Sequence, residues 1–217
     1  MREQSLDLLN HAVQRYPILK ECLTPMRESA IKISECFRAG GRLLICGNGG
    51  SCADAFHIVG ELMKSFVLPR PLDVEIRSRI TELWPESADY LLAHLQGALP
   101  ALSLSSEAAL ASAFANDVAA DLCFAQQVLG QGRPGDVLLA ISTSGNSKNI
   151  LYAAQVAKAR GLVVIALTGR DGGQLKYISD AAIVVHRKKT HEIQELHLPI
   201  YHAICLALEN EFFGKGE

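Results

Sequence analysis

Five short runs of aliphatic residues constrain this chain most: Leu43 to Cys46, Ala101 to Leu104, Val137 to Ile141, Leu162 to Leu167 and Ala182 to Val185. The first four close on Gly, Ser or Thr, and helix-length segments separate all five. Runs without polar alternation are apolar on both faces, as in parallel strands covered by helices on either side. The spacing therefore predicts an α/β fold, an open parallel sheet sandwiched by helices, with ligands bound beyond the strand C-termini.

Residues 3 to 39 read as a preceding helical region. Leu6, Leu9 and Val13 share one face, Pro17 and Pro25 interrupt, and Met26, Ala30, Ile33 and Phe37 resume the spacing before Gly40 and Gly41. Residues 190 to 213 predict a long final helix, with Leu196, Ile200, Ile204, Leu208 and Phe212 in register. Residues 64 to 96 break the alternation. They are polar, hold Pro69, Pro71, Pro85 and the only Trp, Trp84, and read as an inserted helical segment on the surface.

A chain of 217 residues suffices for one domain and would be cramped for two. A formal charge of -2 supplies no field for sequence-independent nucleic-acid binding, and 6% aromatic residues form no base-stacking platform. No apolar run suggests a membrane span, and the start MREQSLDLLNHAVQRY lacks a signal-peptide pattern, so a cytoplasmic protein is expected. The six cysteines contain no C-x-x-C pair and read as mostly buried free thiols.

Two loops carry the chemistry. Cys46-Gly47-Asn48-Gly49-Gly50-Ser51 joins a strand to a helix, where backbone N–H groups and the helix terminus favour an anion, although an unoccupied tight turn has the same sequence pattern. Ile141-Ser142-Thr143-Ser144-Gly145-Asn146-Ser147 is more specific. Capping by Ser144 or Ser147 would account for one of its four hydroxyls, whereas a phosphate site would use all of them. His57 and Glu61 lie one helical turn apart, a spacing suited to metal ligation, acid/base work or a plain surface contact. Gln194 and His202 fall on adjoining parts of the last helix, and His202 stands among Leu and Ile, where a lone imidazole needs a partner.

With Ala115-Asn116-Asp117, LTG-x-DGG at 167 to 173 and Ile193-Gln194-Glu195, these elements resemble, in order from about residue 42 to 205, the phosphoheptose isomerase branch of the sugar isomerase (SIS) domain family. The resemblance implies a five-stranded flavodoxin-like sheet, a homotetramer and a phosphorylated sugar as substrate, with neither nucleic acid nor membrane as partner. It puts phosphate on Ser142, Thr143, Ser144 and Ser147, and sugar hydroxyls near Asn48, Gly49, Gly50, Ser51, Asn116, Asp117 and Gln194. It implies Glu61 as general base, also touching substrate, His202 as partner acid or base, and one Zn2+ per subunit on His57, Glu61, Gln194 and His202. Ligand and acid/base roles for Glu61 and His202 stay alternatives.

Three positions depart from the family pattern. Glu61 to Asn116 spans 55 positions, about twice the usual, Ser65 stands where an Arg usually follows the Glu, and His191 replaces an acidic residue before Gln194. A noncatalytic phosphosugar-binding regulator or scaffold is the alternative function; that branch typically lacks the helix His and Glu and the final-helix His.

Overall fold

The computed structural model describes residues 1 to 214. The N-terminal region forms α1 (Glu3–Arg15), a 3-10 turn (Pro17–Cys22) and α2 (Leu23–Arg38). Pro17 opens the turn, but Pro25 does not break α2: in a first turn its missing N–H has no partner to lose.

The strands are β1 (Leu43–Gly47), β2 (Ala101–Ser103), β3 (Val137–Ser142), β4 (Val163–Gly169) and β5 (Ala181–Val185). They make one sheet in the order β2-β1-β3-β4-β5, every pairing parallel. Alternate residues feed two cores. Leu43, Ile45, Leu139, Ile141, Ile165 and Ile183 face α1, α2, α3 (Gly50–Met63) and the final helix. Leu44, Cys46, Leu138, Ala140, Val164 and Ala166 face the helices between β2 and β5. Burial on both sides is why these strands read as continuous apolar runs.

The segment after α3 forms two short helices, α4 (Val74–Leu83) and α5 (Pro85–His94). No residue of α4 is buried, and in α5 only Ala88 is, so the pair stands off the core. Between β2 and β3 run α6 (Ala108–Phe114), a π turn (Ala115–Ala119), a 3-10 turn (Ala120–Leu122) and α7 (Cys123–Gln131). Contrary to expectation, Ala108–Gln131 is apolar enough by length and composition to cross a membrane. It carries Asn116, Asp117 and Asp121, its two ends join strands of one sheet, and Val128 packs into the second core, so here it is the crossover of this fold.

The remaining helices are α8 (Lys148–Ala159), α9 (Gly173–Ile178) and α10 (Thr190–Phe213). α10 keeps the expected bounds despite an internal Pro199, with Ile193, Ile200, Ile204 and Leu208 buried. Cys22, Cys36, Cys46 and Cys205 are buried free thiols, while Cys52 and Cys123 are partly exposed.

Candidate active site

The chain leaves β1 for β2 on one side and then crosses to β3 on the other, so β1 and β3 flank the point where strand order reverses. At such a point the loops beyond two adjacent strands diverge and leave a crevice. A cleft of about 280 Å³ lies there. Asn48, Gly49, Gly50 and Ser51 line one side, Ser142, Thr143 and Ser147 the other, and Thr190 and Gln194 of α10 close it.

Local chemistry shapes both loops. Ser147 occupies the cap position of α8, yet its side chain makes no capping bond; its Oγ instead accepts from Ser142 Oγ at 3.1 Å. The capping alternative therefore does not account for this hydroxyl. Ser144 does not line the cleft. Its Oγ accepts the Asn146 backbone N–H at 3.1 Å, and its carbonyl accepts Asn146 Nδ2 at 2.9 Å, so its polar atoms shape the turn. Gly145 has φ 64°, and a Cβ there would overlap the Gly172 carbonyl. Leu175 N donates to Gly145 O at 3.0 Å and Gln174 N to Asn146 Oδ1 at 3.1 Å. The LTG-x-DGG stretch is thus the buttress behind the hydroxyl loop. Gly50 is needed for a different reason: a Cβ would strike the Gln194 amide.

A second cluster lies further along α3 and α10. His57 Nε2 stands 3.2 Å from Glu61 Oε1 and 3.3 Å from His202 Nε2. The Tyr201 hydroxyl oxygen, Oη, is 3.0 Å from His57 Nδ1 and donates to Asp54 Oδ1 at 3.4 Å. Burial raises both Asp54 and Tyr201 above their ordinary ranges, and the neighbouring Asp54 carboxyl pushes Tyr201 further. When Tyr201 donates to Asp54, His57 Nδ1–H donates to Tyr201, and Nε2 turns a lone pair toward Glu61 and His202. His202 is held below the usual histidine range by burial and by His57, partly offset by Glu61, and so is neutral near pH 7. Lys64 Nζ lies 3.5 Å from Glu61 Oε2.

The implied metal can be tested against these atoms. Carboxylate and imidazole are ordinary zinc ligands, and ligand atoms around a tetrahedral ion with bonds of about 2.1 Å stand roughly 3.4 Å apart. The two measured separations match that spacing. Gln194 instead packs against Gly50, and among the described residues no group of three or more His, Cys, Asp or Glu encloses a common metal position. The donor types fit zinc, while the closed cage is not formed by the side chains as they stand.

Asn116 and Asp117 are exposed on the π turn, paired with each other at 2.8 Å, and outside the cleft lining. Three features escaped sequence reasoning. Asn149 and Asn48 exchange two side-chain hydrogen bonds of 2.9 Å, each Nδ2 donating to the other's Oδ1, which tie the loops together. Tyr201 orients His57, although its place beside His202 in an apolar stretch was a usable signal. The buried Arg70–Glu209 pair, 139 positions apart, left no such signal.

A parallel five-stranded sheet with a hydroxyl-rich loop at its switch point defines the sugar isomerase domain class, and a family model described as SIS domain matches residues 91–169. The chain belongs more narrowly to the phosphoheptose isomerase family. A phosphoheptose isomerase from Citrifermentans bemidjiense is 37% identical over 196 residues, covering 90% of this chain and 88% of that protein. One from Shewanella sediminis is 35% identical, covering 100% and 99%. The solved phosphoheptose isomerase of Neisseria gonorrhoeae superposes with a TM-score of 0.70 at 33% identity, covering 96% of this chain and 94% of that one. That of Francisella tularensis gives 0.74 at 29%, covering 93% and 94%.

Proposed function

We propose that this chain isomerises sedoheptulose 7-phosphate to a heptose 7-phosphate through an enediolate. The observation that carries the reading is the placement of two functional clusters along one pair of helices. Gln194 meets Gly50, and His202 meets His57 further along both helices. A rise of 1.5 Å per residue puts the second contact roughly 10 to 12 Å beyond the first. An extended chain of single bonds gains about 1.2 Å per bond, so C1 and C2 of a ketoheptose held by its 7-phosphate reach roughly 8 to 10 Å from phosphorus.

Ser142, Thr143 and Ser147 donate to the phosphate, with backbone N–H groups at the start of α3 adding to its hold. Glu61 takes a proton from C1 as the C2 carbonyl becomes the enediolate. Neutral His202 relays the hydroxyl proton between O1 and O2, and a proton returned to C2 gives the aldose. Each such proton carrier contributes roughly 10²–10⁴-fold. Glu61 Oε1 faces His57 while Oε2 faces Lys64, so one oxygen can serve a cation and the other the proton. A zinc ion held by His57 and Glu61 would polarise the carbonyl oxygen, with His202 as a further ligand only in place of its proton relay, while Gln194 stands at the Gly50 contact instead.

Exposed Phe56, Met63, Val118 and Leu129 support the expected homotetramer. The test is proton NMR of sedoheptulose 7-phosphate in deuterated buffer with zinc-loaded protein. Deuterium at C1 with new aldose signals is expected. Glu61→Gln should abolish both while keeping phosphosugar binding. A folded, zinc-supplied wild type that gives neither signal overturns the sedoheptulose 7-phosphate reading, in favour of another ketose phosphate as substrate or of a phosphosugar-binding regulator.

A further inference from the structure

Arg70 and Glu209 form an ion pair whose side chains are both sealed from solvent, Nε to Oε1 at 2.8 Å. Desolvation cancels much of the attraction within such a pair, so its presence is weak grounds for stability alone. Its other hydrogen bonds are more specific. Glu209, on α10 seven residues beyond His202, accepts the backbone N–H groups of Phe66, Val67 and Leu68 at 2.8, 2.9 and 3.2 Å. Burial opposes its ionisation, but these donors and Arg70 hold its carboxyl below the ordinary range. The loop so gripped puts Phe66 against His202, ring centroids 5.4 Å apart.

Arg70 directs its other nitrogens at the end of α3. Nη1 donates to Leu62 O at 2.6 Å and Nη2 to the carbonyl oxygen of Glu61 itself at 2.8 Å. α3 ends at Met63, so these carbonyls belong to the last turn, which lacks helical partners. The same residue closes the base of the inserted helices, since Gly97 N donates to Arg70 O at 2.8 Å, and Ser65 N to Gln96 Oε1 at 2.8 Å. The root of the insertion therefore caps the helix turn that carries Glu61.

We infer that Arg70, clamped by Glu209, is a positioning residue for Glu61, holding the backbone from which that carboxylate reaches the substrate. The inference rests on the reading of Glu61 as the proton-transferring group. Lys64, the other cation near Glu61, is exposed; its Nζ meets the Glu61 side chain at 3.5 Å and the Ser65 carbonyl oxygen at 3.1 Å, and it reaches neither of the carbonyls that Arg70 holds.

The test uses the full chain, zinc-loaded, with Arg70→Lys. Lysine keeps a charge for Glu209 but cannot bridge two carbonyls and a carboxylate as a planar guanidinium does. A displacement of about 1 Å at a reacting group can cost 10²-fold, so kcat should fall about 10- to 100-fold. KM should move less than about threefold, because the phosphate cleft is untouched. Amides of residues 59 to 64 should exchange at least about tenfold faster, with those of 142 to 150 unchanged. Should Arg70→Lys not fold, the double variant R70Q/E209Q, which removes both charges together, carries the same measurements.

Wild-type kcat with wild-type exchange at 59 to 64 overturns the inference. So does a parallel loss of kcat, KM and protection across the whole sheet, which marks a merely structural pair. If the wild type turns over no phosphosugar, the isomerase reading fails by itself. The exchange pattern then decides alone: faster exchange confined to 59 to 64 supports the positioning, and no change refutes it.

Discussion

His197 on α10 is fully buried, and its Nε2 lies 3.3 Å from the Thr168 carbonyl oxygen at the end of β4. A carbonyl only accepts, so Nε2 carries the proton and Nδ1 presents a lone pair, which has no partner. Protonation would place a charge in the core and an N–H against no acceptor. Burial accordingly pushes His197 down to about 4 from an ordinary 6.5, only partly opposed by the Thr168 bond. A base whose folded value is depressed binds fewer protons folded than unfolded, so stability must fall as pH drops below about 6.5 and level off below about 4. Linkage gives a loss of about 2 kcal/mol between pH 7 and 5, and about 3 kcal/mol by pH 4. His197→Gln keeps a donor near the Nε2 position and cannot titrate. Urea unfolding of both proteins at fixed protomer concentration should show the wild type losing that much more than the variant between pH 7 and 5. Parallel curves, within about 0.5 kcal/mol, would refute the assignment of this pH dependence to His197.

Two further outcomes are expected from the site itself. Gly145→Ala forces a side chain onto a left-handed backbone and into the Gly172 carbonyl, so it should cost about 2 kcal/mol or more and abolish inorganic phosphate binding, read by calorimetry. Retained phosphate affinity would show that the hydroxyl loop does not hold the anion. Tyr201→Phe removes the group that orients His57 and should weaken zinc binding about 10- to 100-fold in chelator competition while leaving phosphate affinity intact. Unchanged zinc affinity would remove Tyr201 from the ligand scaffold.

Much of this architecture is local information, which is why it was legible in one dimension. Short continuous apolar runs set between helix-length segments read as doubly covered strands, and the resulting sheet holds Leu43, Val137 and Ile165 as expected. The hydroxyl loop was readable because each Ser or Thr contributes a donor within a few positions of the others. Ser144 differs in that its Oγ accepts the Asn146 N–H and it stands outside the cleft lining, a placement set by dihedrals that residue type leaves open. Asn116 and Asp117 were likewise assigned by resemblance, and their exposed, mutually paired side chains follow from how the crossover lies on the sheet.

By itself the sequence determined the strands, the helices that cover them, both loops and the identities of His57, Glu61, Gln194 and His202. Periodicity and short-range spacing encode the strands, helices and loops directly, whereas the four side chains were gathered into one set by resemblance to the family. Only the tertiary structure decided which side chains meet. It placed Asn149 against Asn48, Tyr201 against His57 and Arg70 between Glu209 and the end of α3. Those contacts join residues about 100 to 140 positions apart or cap a helix from beyond its end, and nothing local records them. They arise because sheet order and helix packing bring α3, α10 and two strand ends together, and burial there favours pairing of the polar groups that meet.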